Sequence, residues 1–365
     1  MVADAAVIGT GIIGLTTAIA LADRGVQVTL LGRAHRGEAS SAAGGMLAPS
    51  VEAEVARGPA NVFARAARDG YPAYVEALSA RTGVDIPLNR LGILEVAATD
   101  AEATTLRERA ALGDFKSLVS TSVWLDARAL ADLEPALAPL AGGFLHPEDG
   151  AVDPLRLLDA LRIAAAQHHK VTVVTEDVCY ADVSNGRCMI RTDSENRVET
   201  DHLVVAAGAW APLIEGIPHP PPVTPVRGQM LGIQAAPLRH VVFGAGGYVI
   251  PKTDGMTTVG STTEAVGFDP ETTEAGLAHV RRIAETLVPE LAQAEASAAW
   301  AGLRPLSPDM LPIIGRDRDA PQIVYACGHS RNGILLGPLT GEVVADLVSG
   351  REPQYDLSQF RPDRF

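Results

Sequence analysis

The chain has 365 residues, 47% of them hydrophobic and 20% charged, which predicts two or three folded domains and excludes a disordered chain. Its formal net charge of −14 excludes general nucleic-acid binding and docking on an anionic membrane. Any site for an anion must therefore be built locally.

Residues 5–8 form a short apolar run, predicted as the buried first strand of a parallel sheet. Gly9, Gly11 and Gly14 follow, and then a helix to about Arg24 with Ile12, Leu15, Ala18, Ile19 and Ala22 at helical spacing. Gly25 caps it, and residues 26–31 alternate into a second strand. This is a βαβ unit with the dinucleotide fingerprint. Gly9 permits the tight turn, Gly11 lets backbone approach a pyrophosphate, and Gly14 lets helix and strand pack closely. The acid expected after the second strand is absent, and Gly32-Arg33 stands there, followed by His35 and Arg36. An arginine at this point can meet the 2′-phosphate of NADP, so the position read alone favours NADP. The other reading of Arg33 and Arg36 is solvated surface charge.

Residues 40–49, Ser-Ser-Ala-Ala-Gly-Gly-Met-Leu-Ala-Pro, read as a small-residue loop pressed against a ligand. A long helix is predicted over 61–82. Strand candidates at 92–96 and 142–146 then alternate with charged helices. Residues 153–168 are helical, with Pro154 suited to the first turn, and 171–175 form a strand. Asn185-Gly186 reads as a hairpin turn that sets Cys188 opposite Val183 and not opposite Cys179. Residues 203–210 are predicted as a strand ending in a glycine turn. The prolines at 220–222 mark a crossing, after which 223–302 read as strands plus one amphipathic helix over 274–288. The three cysteines have no metal-ligand spacing and read as reduced thiols. No signal peptide, membrane span or metal site is predicted, so a soluble cytoplasmic protein is expected.

Near the C-terminus an apolar strand at 323–326 leads through Gly328-His329-Ser330-Arg331-Asn332-Gly333-Ile334-Leu335-Leu336-Gly337-Pro338 into a helix predicted over 341–348. Such a turn aims backbone N–H groups at an anionic ligand. Two such devices at opposite ends of one chain suggest one long cofactor. FAD fits better than NADP, because its isoalloxazine lies far from its adenine. Arg331 reads either as a ligand contact or as a surface or cap residue. Arg304, read as fixed in a turn between Gly302-Leu303 and Pro305, suits a carboxylate; its other reading is an internal salt bridge. Tyr248, after Gly246-Gly247, is either a core aromatic or a ligand contact. The lack of an evident base suits direct hydride transfer to a flavin.

Together these residues resemble the glycine oxidases of thiamin biosynthesis, within the wider D-amino-acid oxidase family of FAD enzymes. The resemblance rests on Gly9-Thr10-Gly11-Ile12-Ile13-Gly14, Ala43-Gly44-Gly45-Met46-Leu47-Ala48-Pro49, Pro225-Val226-Arg227-Gly228-Gln229, Tyr248-Val249-Ile250-Pro251, Val259-Gly260-Ser261-Thr262, Trp300-Ala301-Gly302-Leu303-Arg304-Pro305, the 328–338 turn and Phe360-Arg361-Pro362-Asp363-Arg364. It implies an α/β protein: a Rossmann-like FAD-binding domain (1–82, 145–218 and 303–365) with an inserted α+β substrate-binding domain (83–144 and 219–302). FAD would be held non-covalently. Ile12 and Ile13 would lie at its pyrophosphate. Ser40, Ser41, Gly45, Met46 and Leu47 would contact it, with Val178 near the adenosine. His329, Ser330, Arg331, Asn332, Gly333, Ile334 and Leu335 would border the flavin. Arg304 would hold a substrate carboxylate, with Tyr248 assisting and Arg331 nearby. The family passes hydride from an amine-bearing carbon to the flavin, which oxygen reoxidises to give hydrogen peroxide and an imine. Homotetramers are implied.

The sequence departs from the family pattern at Gly32, where an acid is usual, so the ribose must use backbone or Arg33. Ser330 replaces an aromatic and Thr263 an apolar residue, which would make the pocket more polar. The expected activity is oxidation of glycine, sarcosine or a small D-amino acid. The alternatives are a dehydrogenase passing electrons to a quinone or protein, an NADP-dependent reductase, and a flavin-binding protein without amine chemistry.

Overall fold

The computed structural model describes residues 2–52, 57–112 and 120–365. Strand β1 (Val2–Ile8) leads into helix α1 (Ile12–Asp23), and the chain returns along β2 (Val28–Leu31). Helix α1 is apolar on nearly every side, as befits a helix covered all round. A short helix α2 (Ala39–Ala42) precedes β3 (Met46–Leu47) and the long α3 (Pro59–Thr82). Residues 40–42, expected as loop, are thus part of one helical turn. Next come β4 (Leu88–Asn89), β5 (Ile93–Ala97), α4 (Asp100–Ala111), β6 (Val123–Asp126), α5 (Ala127–Leu133), β7 (Gly142–His146) and β8 (Gly150–Val152). Helix α6 (Pro154–Gln167) starts at Asp153, whose carboxylate accepts from Leu155 N and Arg156 N, and ends before β9 (Val171–Val174).

The hairpin β10 (Val178–Ser184) and β11 (Arg187–Thr192) sets Cys188 opposite Val183, as the turn predicts. Strand β12 (Arg197–Val205) stops short of the range expected for it, and residues 208–213 make a 3₁₀ turn that carries Trp210. Then follow β13 (Thr224–Ile233), β14 (Val241–Gly244), β15 (Gly247–Pro251), β16 (Thr257–Gly260), α7 (Glu274–Leu287), β17 (Ala296–Leu306), β18 (Ile313–Arg316), β19 (Ile323–Cys327) and α8 (Gly333–Val348). Helix α8 begins eight residues earlier than the pattern suggests. Pro338 is its sixth residue, so the end of the stretch read as a turn lies inside the helix.

The first sheet has a parallel centre in the order β19-β12-β1-β2-β9, extended antiparallel by β11 and β10, with β18 pairing antiparallel to β19. Strands β2 and β9 lie on one side of β1 and strands β12 and β19 on the other, so the carboxyl ends of β1 and β12 flank a switch in direction, the usual place for a ligand in this fold. The second sheet runs β17-β13-β16-β15-β14-β5-β7-β6 and is covered by α7, whose Val280, Ile283, Ala284 and Leu287 pack on Leu231, Val249 and Val259. A small third sheet, β3-β8-β4, carries the Met46-Leu47 segment. No helix among the described residues is long and apolar enough to cross a membrane.

Helices α1 and α8 lie parallel and in contact. A Cβ at Gly337 would sit 2.9 Å from Ile12 Cγ1, and one at Gly341 2.7 Å from the Thr16 carbonyl carbon. Thr16 Oγ1 donates to Gly337 O at 2.9 Å, and Arg24 Nη2 reaches Asp346 at 2.9 Å at the far end. The lack of side chains at 337 and 341 is what allows this approach. Both helices therefore start at the same place.

Candidate active site

That place is a cavity of about 490 Å³ between the two large sheets. Its floor is the turn after β1. Gly9 has a left-handed φ of +115°, and a Cβ there would stand 2.3 Å from Ala206 O, so β12 can close on β1 only over a glycine. A Cβ at Gly14 would lie 1.8 Å from Gly9 O, which makes that glycine a packing contact rather than part of the wall. Ile12 N donates to Ser40 Oγ at 3.1 Å, tying the helix start to α2. The first N–H groups of α1 and α8 have no partner within their own helices, and Ile12, Ile13, Gly333 and Ile334 all line the cavity. Two positive helix ends thus face one space.

Among the other expected positions, Gly11, Gly32, Arg33, Ser40, Gly45, Met46, Val178, His329, Ser330, Arg331 and Asn332 also line the wall, as do Tyr248 and Arg304. Four positions lie elsewhere. Gly14 packs on the turn, Ser41 faces outward and donates to Glu38 O, and Leu47 and Leu335 are buried in the main core.

Arg33 is the chief departure from expectation. Its Nη2 lies 2.7 Å from Asp193 and its Nε 3.3 Å from Asp177, so two carboxylates already hold its charge. It has no spare charge for a 2′-phosphate, which removes the basis for the NADP reading. Asp177 also pairs with His35 at 2.9 Å, and His35 stacks on Trp210 at 5.1 Å. A carboxylate thus reaches this stretch of wall from the β9–β10 connection instead of from residue 32.

His329 is 2% exposed, and burial takes its pKa down to about 3, so the ring is neutral near pH 7. Its Nε2 meets Thr340 Oγ1 at 3.1 Å, while Nδ1 is buried without a protein partner. An orphaned ring nitrogen and two helix N-termini in one long cavity form a set of groups suited to a flavin dinucleotide.

A second stretch of wall is built on β17. Arg304, expected in a turn, lies within this strand opposite Val226. Its Nη1 donates to Thr262 O at 3.1 Å and its Nη2 to Ser261 Oγ at 2.5 Å, which fixes the guanidinium and leaves donors free. Burial lowers its pKa, while the Tyr248 phenol beside it acts in the opposite sense. A Cβ at Gly228 would stand 2.1 Å from Arg304 Nη2, so that glycine provides the room for the guanidinium. Tyr248 Oη lies 3.0 Å from Met230 Sδ. Ser330 N donates to Pro305 O at 2.9 Å, which brings the Arg331 turn beside β17.

One residue of this wall has no sequence signal of its own. Glu52 follows the small-residue loop and reaches the cavity, with Oε1 3.7 Å from Arg331 Nη1. Its loop is anchored by Ser50, whose N and Oγ both donate to Asp149 at 3.0 Å. Asp149 is fully buried and accepts from Arg68 Nη1 at 3.0 Å.

A doubly wound sheet with a glycine turn, two helix ends and a long cavity at its switch point defines a dinucleotide-binding protein. A glycine oxidase from Geobacillus kaustophilus is 34% identical, with 98% of this chain and 96% of that protein covered. A crystal structure of glycine oxidase from the same organism superposes with a TM-score of 0.93 at 33% identity, over 100% of this chain and 99% of the other. The bifunctional ThiO/ThiG protein of Nostoc is 33% identical over 100% of this chain, and the chain spans about half of its length (55%). The model of the DAO family, FAD dependent oxidoreductases, matches residues 4–347, and the chain belongs to that family.

Proposed function

We propose that this protein is an FAD-dependent oxidase that deaminates glycine or a similar small amino acid. The observation that carries the reading is Arg304: a fixed guanidinium with free donors, in the same cavity as the two helix ends. The name of the Geobacillus kaustophilus glycine oxidase, and that of the crystal structure from the same organism, support it.

FAD, when bound, supplies the hydride acceptor and its reoxidation by oxygen to hydrogen peroxide. Ile12, Ile13, Gly11 and Ser40 would hold it at the first turn, and the 329–334 segment at its ring. Arg304 binds the substrate carboxylate with the donors that Thr262 and Ser261 leave free, and Tyr248 adds a phenol hydroxyl beside it. Fixing one end of a small substrate orients the carbon that reacts. Thr263 and Ser330 line this corner with small, partly polar side chains, which leaves room for a short or polar substituent on the substrate as well as for glycine itself. The same reading divides the chain into an FAD-binding part (1–82, 145–218 and 303–365) and a substrate-binding part (83–144 and 219–302), and makes it a cytoplasmic homotetramer.

The test is anaerobic addition of glycine, sarcosine and small D-amino acids to the purified yellow protein. Bleaching of the flavin by at least one, with hydrogen peroxide formed on admitting air, is the expected result. Bleaching without peroxide would make the protein a dehydrogenase, and no bleaching by any of them would refute amine chemistry.

A further inference from the structure

Among the described residues, three carboxylates line the cavity: Glu38, Glu52 and Asp177. Glu38 accepts from His35 N at 2.9 Å, and Asp177 is paired with Arg33 and His35. Glu52 differs. Its side chain is only 10% exposed, its Oε1 is 3.7 Å from Arg331, and its Oε2 is buried without a partner among the described residues. A buried carboxylate oxygen left unpaired is costly, so its retention in a ligand cavity points to a donor brought by the ligand. Every substrate allowed by the proposed activity carries an amine next to a carboxylate. Arg304 takes the carboxylate, and the amine hydrogens then need an acceptor on the same wall.

We propose that Glu52 is a catalytic residue that accepts a proton from the substrate's ammonium group at Oε2. The inference rests on the amine oxidase reading and assigns one residue within it. In this step an N–H bond breaks, its electron pair stays on nitrogen, and an O–H bond forms on Glu52; nothing is oxidised or reduced. The lone pair released on nitrogen supports the neighbouring carbon as its hydrogen leaves with both bonding electrons. An ammonium has no such pair and cannot react.

The surroundings suit this task. Burial holds the Glu52 carboxyl above the usual range and so makes it a better base; Arg331, a hydrogen bond to Asn332 and Arg304 oppose this, and Asp149 adds to it. The loop is held by the bonds from Ser50 to Asp149, so the carboxylate need not move to act.

The experiment follows flavin bleaching by the amino acid found active, from pH 6 to 10, in the wild-type holoenzyme and in Glu52→Gln. The variant is expected to lose about 10²–10³-fold in kcat/KM at pH 7, within the usual range for a lost general base. The deficit should shrink as pH approaches the pKa of the substrate's ammonium, because solution then supplies the free amine. Binding of acetate, which has a carboxylate and no amine, should change by less than about 3-fold, since Arg304 is untouched. A loss that is the same at every pH, or no loss, overturns the proposal. Glu52→Asp serves if the glutamine variant does not retain flavin. It is expected to keep the wild-type pH profile at a reduced rate, and a profile displaced to the ammonium pKa counts against Glu52. Failure of the wild-type protein to bleach with any amine is a different result, and it removes the oxidase reading itself.

Discussion

Replacing Gly228 with alanine separates substrate binding from cofactor binding. The added Cβ would stand 2.1 Å from Arg304 Nη2 and 2.4 Å from its Cζ. Ordinary contact needs roughly 3.5 Å, so the guanidinium must retreat by more than about 1 Å. Because it is the far end of a long side chain, it can do so without moving β13 or β17, and stability should fall by no more than about 1 kcal/mol. The retreat breaks the bonds to Thr262 O and Ser261 Oγ that aim the fork. A displacement of that size in a positioning group costs on the order of 10²-fold. Titrating the flavin spectrum with acetate, and then measuring KM for the active amino acid, should show both weakened about 10²-fold with FAD affinity unchanged. Unaltered acetate binding in a folded Gly228→Ala protein would refute the role given to Arg304.

Asp149→Ala should destabilise the protein by about 3–5 kcal/mol, because it leaves the buried Arg68 with fewer partners and Ser50 with none from this side chain; urea unfolding checks this. It should also lower turnover in whatever protein remains folded, since the Glu52 loop loses its anchor. A third expectation concerns acid. Burial pushes the Glu95 carboxyl up, but the His146 hydrogen bond and Arg109 outweigh it, and the net pKa is lowered. Stability from this group is therefore present above the unfolded value of about 4.3 and lost as pH falls through the lower folded value. Glu95→Gln should cost about 1.5–3 kcal/mol at pH 7, and the gap to wild type in urea should close below pH 4.

Much of the fold can be read locally. The βαβ unit, the long α3, the Asn185-Gly186 hairpin and α7 each follow from periodicity, caps and turn residues, all of which act over a few residues. Errors arise where distant contacts decide. The 328–338 segment reads as a turn, yet α8 starts at Gly333 and carries Pro338 inside it: the Ile334 carbonyl that a proline cannot serve accepts from Tyr71 Oη at 2.6 Å, and the packing on α1 favours the helix. Arg33 reads as a phosphate ligand until Asp177 and Asp193, more than 140 residues away, are seen to hold it. Arg304 is legible as a rigid arginine, though its rigidity comes from a strand and two partners rather than from a turn. Glu52 has no signal, since one acid after a small-residue loop resembles any surface acid. Its burial depends on Arg331 and on the Arg68–Asp149 pair, which belong to other segments.

The parallel contact of α1 and α8 also sets an order of events during folding. Thr16 and Gly337 are 321 residues apart in sequence, yet they share a buried hydrogen bond just behind the helix starts that line the cavity. Closing so long a loop is not prohibitive, since its entropy grows only with the logarithm of its length. It does mean that the glycine turn at the start of the chain has half a binding site until residues 333–348 arrive. An N-terminal fragment, however well folded, would not retain the cofactor, whereas the full chain gains stability by mass action once the nucleotide is captured. Supply of the cofactor while the protein is being made should thus affect how much active protein accumulates, in addition to how much of it is loaded.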